Sequence, residues 1–218
     1  MRVKLLCNTP DPERTVALAA RMCYSEELVE NTEENLTREE CATLIKFLFR
    51  VGHFSVFEHA SFTFAIDGVS RALSHQLVRH RIASYAQKSQ RRTSMDHLRF
   101  VIPPSVEESR AAVDAYTSVI NSIVVGYNDL KELGVPLEDA RFLLPNACET
   151  ALLVTMNARS LFNFFSLRCC SKAQWEIRGM ADEMLKLCKD VSPIIFEKAG
   201  PTCVTLGTCR ENKPCKNL

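Results

Sequence analysis

Residues 61–91 read SFTFAIDGVSRALSHQLVRHRIASYAQKSQR, and three different spacings follow one another within them. Phe62, Phe64 and Ile66 alternate with Ser61, Thr63 and Ala65, the period of a strand with one buried face. Asp67-Gly68 is a turn signal. Ala72, Leu73, Gln76 and Leu77 then recur at helical spacing, which predicts a helix from Arg71 to about Arg79. From Ile82 to about residue 105 no period holds, and Ser, Gln and Arg dominate. Long irregular segments inside compact domains are uncommon and tend to be functional or disordered.

Working outward, residues 2–7 read as a short strand, and Asp11 or a neighbour caps a helix to about Arg21. Thr37 and Glu40 form a capping-box pattern. Behind it Cys41, Leu44, Ile45, Leu48 and Val51 mark a helix that Gly52 stops. A long helix is predicted from Val106 to about Leu133, a shorter one over Leu137–Leu144, and a strand over Ala151–Thr155. Ser171 with Gln174 is a second capping-box pattern, opening a helix to about Lys198. Helices dominate and strands are few, so the chain is predicted to be α+β, a single domain over residues 1–218 with a small, mostly antiparallel sheet and several long helices. No G-x-G-x-x-G or P-loop is present, so any nucleotide site must use other chemistry.

The length, 218 residues, suits one core, and 46% hydrophobic with 24% charged residues excludes a disordered or low-complexity chain. The net charge of +1 argues against a global nucleic-acid binder. No run approaches the ~20 apolar residues of a membrane span, and the start lacks a secretory signal, so a cytoplasmic chain is expected. Ten cysteines run from Cys7 to Cys215. Most, such as Cys23, Cys41 and Cys188, sit among apolar residues and read as small buried hydrophobes. Their spacings do not match the tight pairs of structural zinc, so no metal is expected.

Between Asp67 and Asp96 there is no acidic residue, while Arg71, Arg79, Arg81, Lys88, Arg91 and Arg92 accumulate beside His75 and His80. Arginines interleaved with Ser84, Gln87, Ser89 and Gln90 suit anion recognition, because guanidinium donates in pairs to phosphate. Composition alone leaves a solvated basic face equally open, and Tyr85 could stack a nucleic-acid base.

The order of these residues adds to that reading. Residues 79–91 resemble the signature R-H-R-x-x-S-x-N-x-x-S-x-R of flavin-dependent thymidylate synthases. Every specified position matches but one: Ala86 stands where the pattern has Asn, and the arginines remain. Gly52–His59, with the strand after it, is similar to the family's upstream segment. Arg141-Phe142-Leu143-Leu144-Pro145 is similar to its Arg-x-x-Leu-Pro element, and Asn157–Arg168 with Ala173–Ile177 to its C-terminal block. The resemblance covers about residues 52–178.

It implies reductive methylation of dUMP to dTMP, with methylenetetrahydrofolate as carbon donor and NADPH-reduced FAD as hydride donor. No cysteine nucleophile is needed, and the protein supplies positioning and electrostatics. Carried over by position, Gln76, Arg79, Gln87, Ser89, Gln90, Arg91, Arg141 and Arg168 are expected at dUMP, Arg141 from a neighbouring subunit. Arg168 is the expected catalytic residue, lying against the uracil to stabilise developing negative charge. Ser25, His53, Ser55, Glu58, Arg79, His80, Arg81, Asn157, Arg159 and Asn163 are expected at FAD. Ser89 reads as a hydrogen-bonding ligand and not a nucleophile, since no base lies in its run, while His59 and His75 read as structural. The family assembles as homotetramers with shared active sites, and no nucleic-acid or membrane partner is implied. An inactive flavoprotein and a basic-loop nucleic-acid binder are the competing readings.

Overall fold

The computed structural model describes residues 1–24, 36–93, 98–209, 212 and 215. Ser25 lies outside the described residues. The class is α+β: the described residues form helices and a four-stranded sheet of order β1-β2-β4-β3. The elements are β1 (Arg2–Asn8), α1 (Pro12–Met22), α2 (Arg38–Val51), a 3-10 turn (Ser55–His59), β2 (Ser61–Ser70), α3 (Arg71–Leu77) and β3 (Ser84–Gln87). After them come α4 (Pro104–Glu107), α5 (Arg110–Glu132), α6 (Leu137–Ala140), a 3-10 turn (Arg141–Leu143), β4 (Glu149–Asn157), α7 (Ala158–Arg168), α8 (Trp175–Val191) and α9 (Thr202–Thr205). By its internal contacts the chain divides into two compact units. One holds residues 1–2, 66–78 and 86–152, and the other holds 3–65, 79–85 and 153–218.

Local chemistry explains the best-matched elements. Thr37 Oγ1 accepts from the Glu40 backbone N–H at 3.3 Å while the Glu40 carboxylate accepts from the Thr37 N–H at 2.9 Å, a complete capping box for α2. Those hydrogen bonds hold the Glu40 carboxyl below its ordinary pKa. Gly52 closes α2 in the left-handed region, φ +74°. Antiparallel pairing of β2 with β4 follows from register: Thr63 Oγ1 meets Thr155 Oγ1 at 2.9 Å, and the Arg71 N–H reaches the Cys148 carbonyl at 3.0 Å.

The unit holding 153–218 is packed around aromatics. Phe57, Phe62, Phe164, Phe165 and Phe196 are fully buried, and Phe57 sits 4.9 Å from Phe49 and 5.4 Å from Phe162 between ring centroids. In the other unit Tyr127, Ala140 and Cys148 form a buried cluster flanked by Phe100, Leu130, Val135 and Leu144.

Several expectations are corrected. Asp67-Gly68 is not a turn; β2 runs through it, and Gly68 carries the strand past Met1 at φ +67°. A Cβ there would meet the Met1 nitrogen at 3.3 Å. Gly68→Ala is therefore expected to lower stability by about 1–2 kcal/mol in chemical denaturation, with the left-handed backbone and the close approach adding together. The segment 82–105 contains a strand, β3, pinned by the Lys88 N–H on the Ala151 carbonyl at 2.9 Å. The predicted helix 106–133 is split, because Ser109 breaks it and caps α5. α3 ends at Leu77 and α6 at Ala140, each shorter than its pattern suggested. Gln174 alone caps α8, its side chain accepting from the Glu176 and Ile177 N–H groups, while Ser171 meets Cys215 instead. α8 stops at Val191, because Pro193 lacks an N–H and forces Ser192 out of the helix. Cys41 and Cys188 are buried, but Cys23 is exposed at the C-cap of α1, past its apolar face.

Candidate active site

Three stretches far apart in sequence line one cleft of about 600 Å³. Glu58 comes from the 3-10 turn after α2; Arg79, His80, Arg81 and Ile82 come from the loop after α3. Asn157, Arg159, Ser160, Asn163, Leu167 and Arg168 come from the end of β4 and along α7. Arg159 is ion-paired with Glu58, so the helix and the turn are tied at the rim. The Asn157 side-chain oxygen caps α7 by accepting from the Ser160 N–H at 2.9 Å. Asn157 thus lines the cleft at the positive end of the α7 dipole. Arg79, Arg81 and Arg159 against one carboxylate, Glu58, give the cleft a positive rim suited to a diphosphate.

His80 is the pivot of the floor. Its Nε2 accepts from Arg168 Nε at 3.0 Å, and its ring stands edge-on to Phe164 at 4.9 Å. Burial, reinforced by the Arg168 charge, pulls its pKa down from 6.5 to about 4. The imidazole is thus neutral near pH 7 and able to act as an acceptor, while burial lowers the pKa of the half-buried Arg168 guanidinium. Tyr85, read from sequence as a stacking candidate, instead donates its hydroxyl to the His80 carbonyl at 2.8 Å, and burial pushes its pKa up to about 12. In an NMR titration the His80 imidazole is expected to stay neutral down to about pH 4. The unfolded imidazole binds its proton near 6.5 and the folded one near 4, so this group lowers stability as pH falls through that window and adds nothing above it.

A second, smaller recess of about 290 Å³ lies within the unit holding residues 86–152. Arg71, His75, Gln90, Arg141 and Asn146 line it, beside Phe142, Leu144 and Pro145. Burial, and the Arg141 guanidinium with it, lower the pKa of Arg71, as expected where two cations converge. Gln90 is nearly fully buried, with its amide 3.7 Å from Cys148 Sγ.

Of the residues expected at FAD, the structure brings Glu58, Arg79, His80, Arg81, Asn157, Arg159 and Asn163 to the cleft. His53 and Ser55 do not line it. His53 follows the Gly52 cap of α2, edge-on to Tyr24 at 6.4 Å, and Ser55 is exposed at the start of its turn. Of those expected at dUMP, Arg79 and Arg168 lie in the cleft, and Gln90 and Arg141 in the recess. The others line neither cavity. Gln76 is half-buried on α3, and Gln87 donates to Thr150 at 3.2 Å. Ser89 accepts from the Arg91 N–H at 3.2 Å, and Arg91 is paired with Glu138 at 2.7 Å. Sequence reasoning counted Arg71 in the basic cluster without placing it at a ligand, missed Asn146, and set His75 aside as structural. Only the absence of acids around Arg71 and His75 pointed to them.

No helix among the described residues is long and apolar enough to cross a membrane. The profile of the family described as Thymidylate synthase complementing protein matches residues 4–194. A flavin-dependent thymidylate synthase of Geobacter sulfurreducens is 51% identical over 213 residues, covering 97% of this chain and 91% of the relative. One from Clostridium tetani is 46% identical with the same coverages. One from Sulfolobus acidocaldarius is 46% identical over 94% of this chain and 78% of its own length. With a matched profile across most of its length and relatives this similar over nearly all of it, the chain belongs to the Thymidylate synthase complementing protein family.

Proposed function

We propose that the chain converts dUMP to dTMP, taking the carbon from methylenetetrahydrofolate and the hydride from FAD reduced by NADPH. The observation that carries this reading is the cleft: residues 58, 79–81 and 157–168, drawn from three family-like stretches, converge on it with a positive rim. The flavin supplies the two-electron chemistry. The chain's part is to bind, orient and stabilise. Arg79, Arg81 and Arg159 offset diphosphate charge, and Asn157 and Asn163 offer amide donors. The recess of Arg71, His75, Gln90 and Arg141 suits a phosphate monoester. Arg168, held at its Nε by neutral His80, opposes negative charge that builds on the pyrimidine as C5 attacks.

Burial holds the thiols of Cys148, Cys169 and Cys188 above the ordinary range, the opposite of what a nucleophilic thiolate needs. This supports chemistry without a cysteine nucleophile. In this reading residues 1–218 act as one catalytic domain in the cytoplasm, within a homotetramer whose active sites are shared, Arg141 coming from a neighbouring subunit.

The test is anaerobic dTMP formation by protein stripped of flavin and then reloaded. Product that requires flavin, NADPH and methylenetetrahydrofolate together is the expected result. Product without flavin, or none with it, overturns the reading; salt-sensitive binding of a random oligonucleotide instead would favour a nucleic-acid role for the basic loop.

A further inference from the structure

A groove of about 600 Å³ lies beside the cleft in the same compact unit, and the two share Arg159 and Asn163 as a common wall. Its floor is aromatic. Phe49, Phe54 and Phe162 form a patch with ring centroids 5.2 to 6.2 Å apart. Its rim is cationic: Lys46 and Arg50 project from α2, and Lys198 lies between α8 and α9. No carboxylate lines the groove among the described residues; Glu197 faces a separate, smaller recess with Lys46 and Lys198. An aromatic floor under a positive rim fits a flat ring that carries negative charge.

We propose that this groove holds the aminobenzoyl-glutamate tail of the folate donor. The inference rests on the folate-dependent reading above. The aminobenzoyl ring lies on the Phe49–Phe54–Phe162 patch, and the glutamate carboxylates follow Lys46, Arg50 and Lys198. The pterin end enters the cleft past Arg159 and Asn163. The rim favours this ligand over a dinucleotide for a chemical reason. Carboxylates strung along a tail match separate cations on a rim, whereas a pyrophosphate calls for several guanidinium and amide donors together, the set that lines the neighbouring cleft.

The experiment compares methylenetetrahydrofolate bearing one glutamate with the polyglutamylated form, using flavin-loaded protein. The expected result is a lower KM for the polyglutamate in the unaltered chain. Lys46→Glu with Lys198→Glu should remove most of that advantage, with roughly two- to five-fold lost per pair, while flavin content and the KM for NADPH stay as they were. Lys186→Glu, an exposed reversal on α8 that lines neither cavity, should leave the advantage intact. Equal KM for both folates, or a raised KM for NADPH in the double variant, would overturn the assignment while dTMP still forms. Absence of dTMP with either folate would bring down the functional reading itself, and this inference with it.

Discussion

Arg168→Ala is expected to lower kcat by a factor of about 10²–10³, the usual cost of losing one group aimed at developing charge. The reason lies in how the guanidinium is held. It is half-buried at the end of α7, its Nε donates to His80 Nε2 at 3.0 Å, and His80 is itself fixed by Phe164 and by the Tyr85 bond to its carbonyl. In the proposed reaction, a charge oriented beforehand needs no reorganisation as the pyrimidine becomes anionic. Arg168→Lys keeps the charge but loses the planar fork and the Nε bond, so it should recover only part of the rate. Rapid-mixing kinetics with flavin content checked alongside would separate a catalytic loss from a lost cofactor. A variant within about three-fold of the parent kcat would remove Arg168 from the chemistry.

Phe57→Ala is expected to cost about 3–5 kcal/mol of stability, the range for emptying a buried aromatic site, and to release flavin. Phe57 is fully buried against Phe49 and Phe162 and anchors the short 3-10 turn Ser55–His59. That turn carries Glu58, which ties down Arg159 at the cleft rim. Packing and binding are therefore one structure here. Since whole domains are stable by only about 5–15 kcal/mol, the variant should unfold at far lower denaturant. Phe57→Leu keeps much of the volume and should restore both flavin retention and most of the stability. If Phe57→Ala unfolded at the parent's midpoint, the anchoring role would fail.

What was legible in the sequence was mostly local. The Thr37–Glu40 box and the Gly52 stop depend on residues within one turn, and both form as read. The alternation Phe62-Phe64-Ile66 marks its strand because one face is buried. β3 was not legible, because Ser84, Ala86 and Gln87 are exposed and its register is set by Thr150 and Ala151. Ile194, Ile195 and Phe196 prolonged the apolar pattern of α8 past Pro193, so the break was overrun. In the site, the arginines and asparagines were named because they stand in recognisable motifs. Which of them pair with which was not legible. His80 meets Arg168 88 positions away, and Arg91 meets Glu138 47 positions away. No local pattern encodes such pairs.

The same distances govern how the chain comes off the ribosome. Glu58 waits for Arg159, 101 positions later, and β2 waits for β4, since Thr63 and Thr155 are 92 apart. Until α7 has emerged, the nascent chain has no cleft; β2 has β1 on one edge but not β4 on the other, and Phe62 stands without Phe196, the ring it packs against. Closing such long loops is slow and leaves hydrophobic surface exposed meanwhile. Translation pausing before residue 157 should therefore favour aggregation over folding.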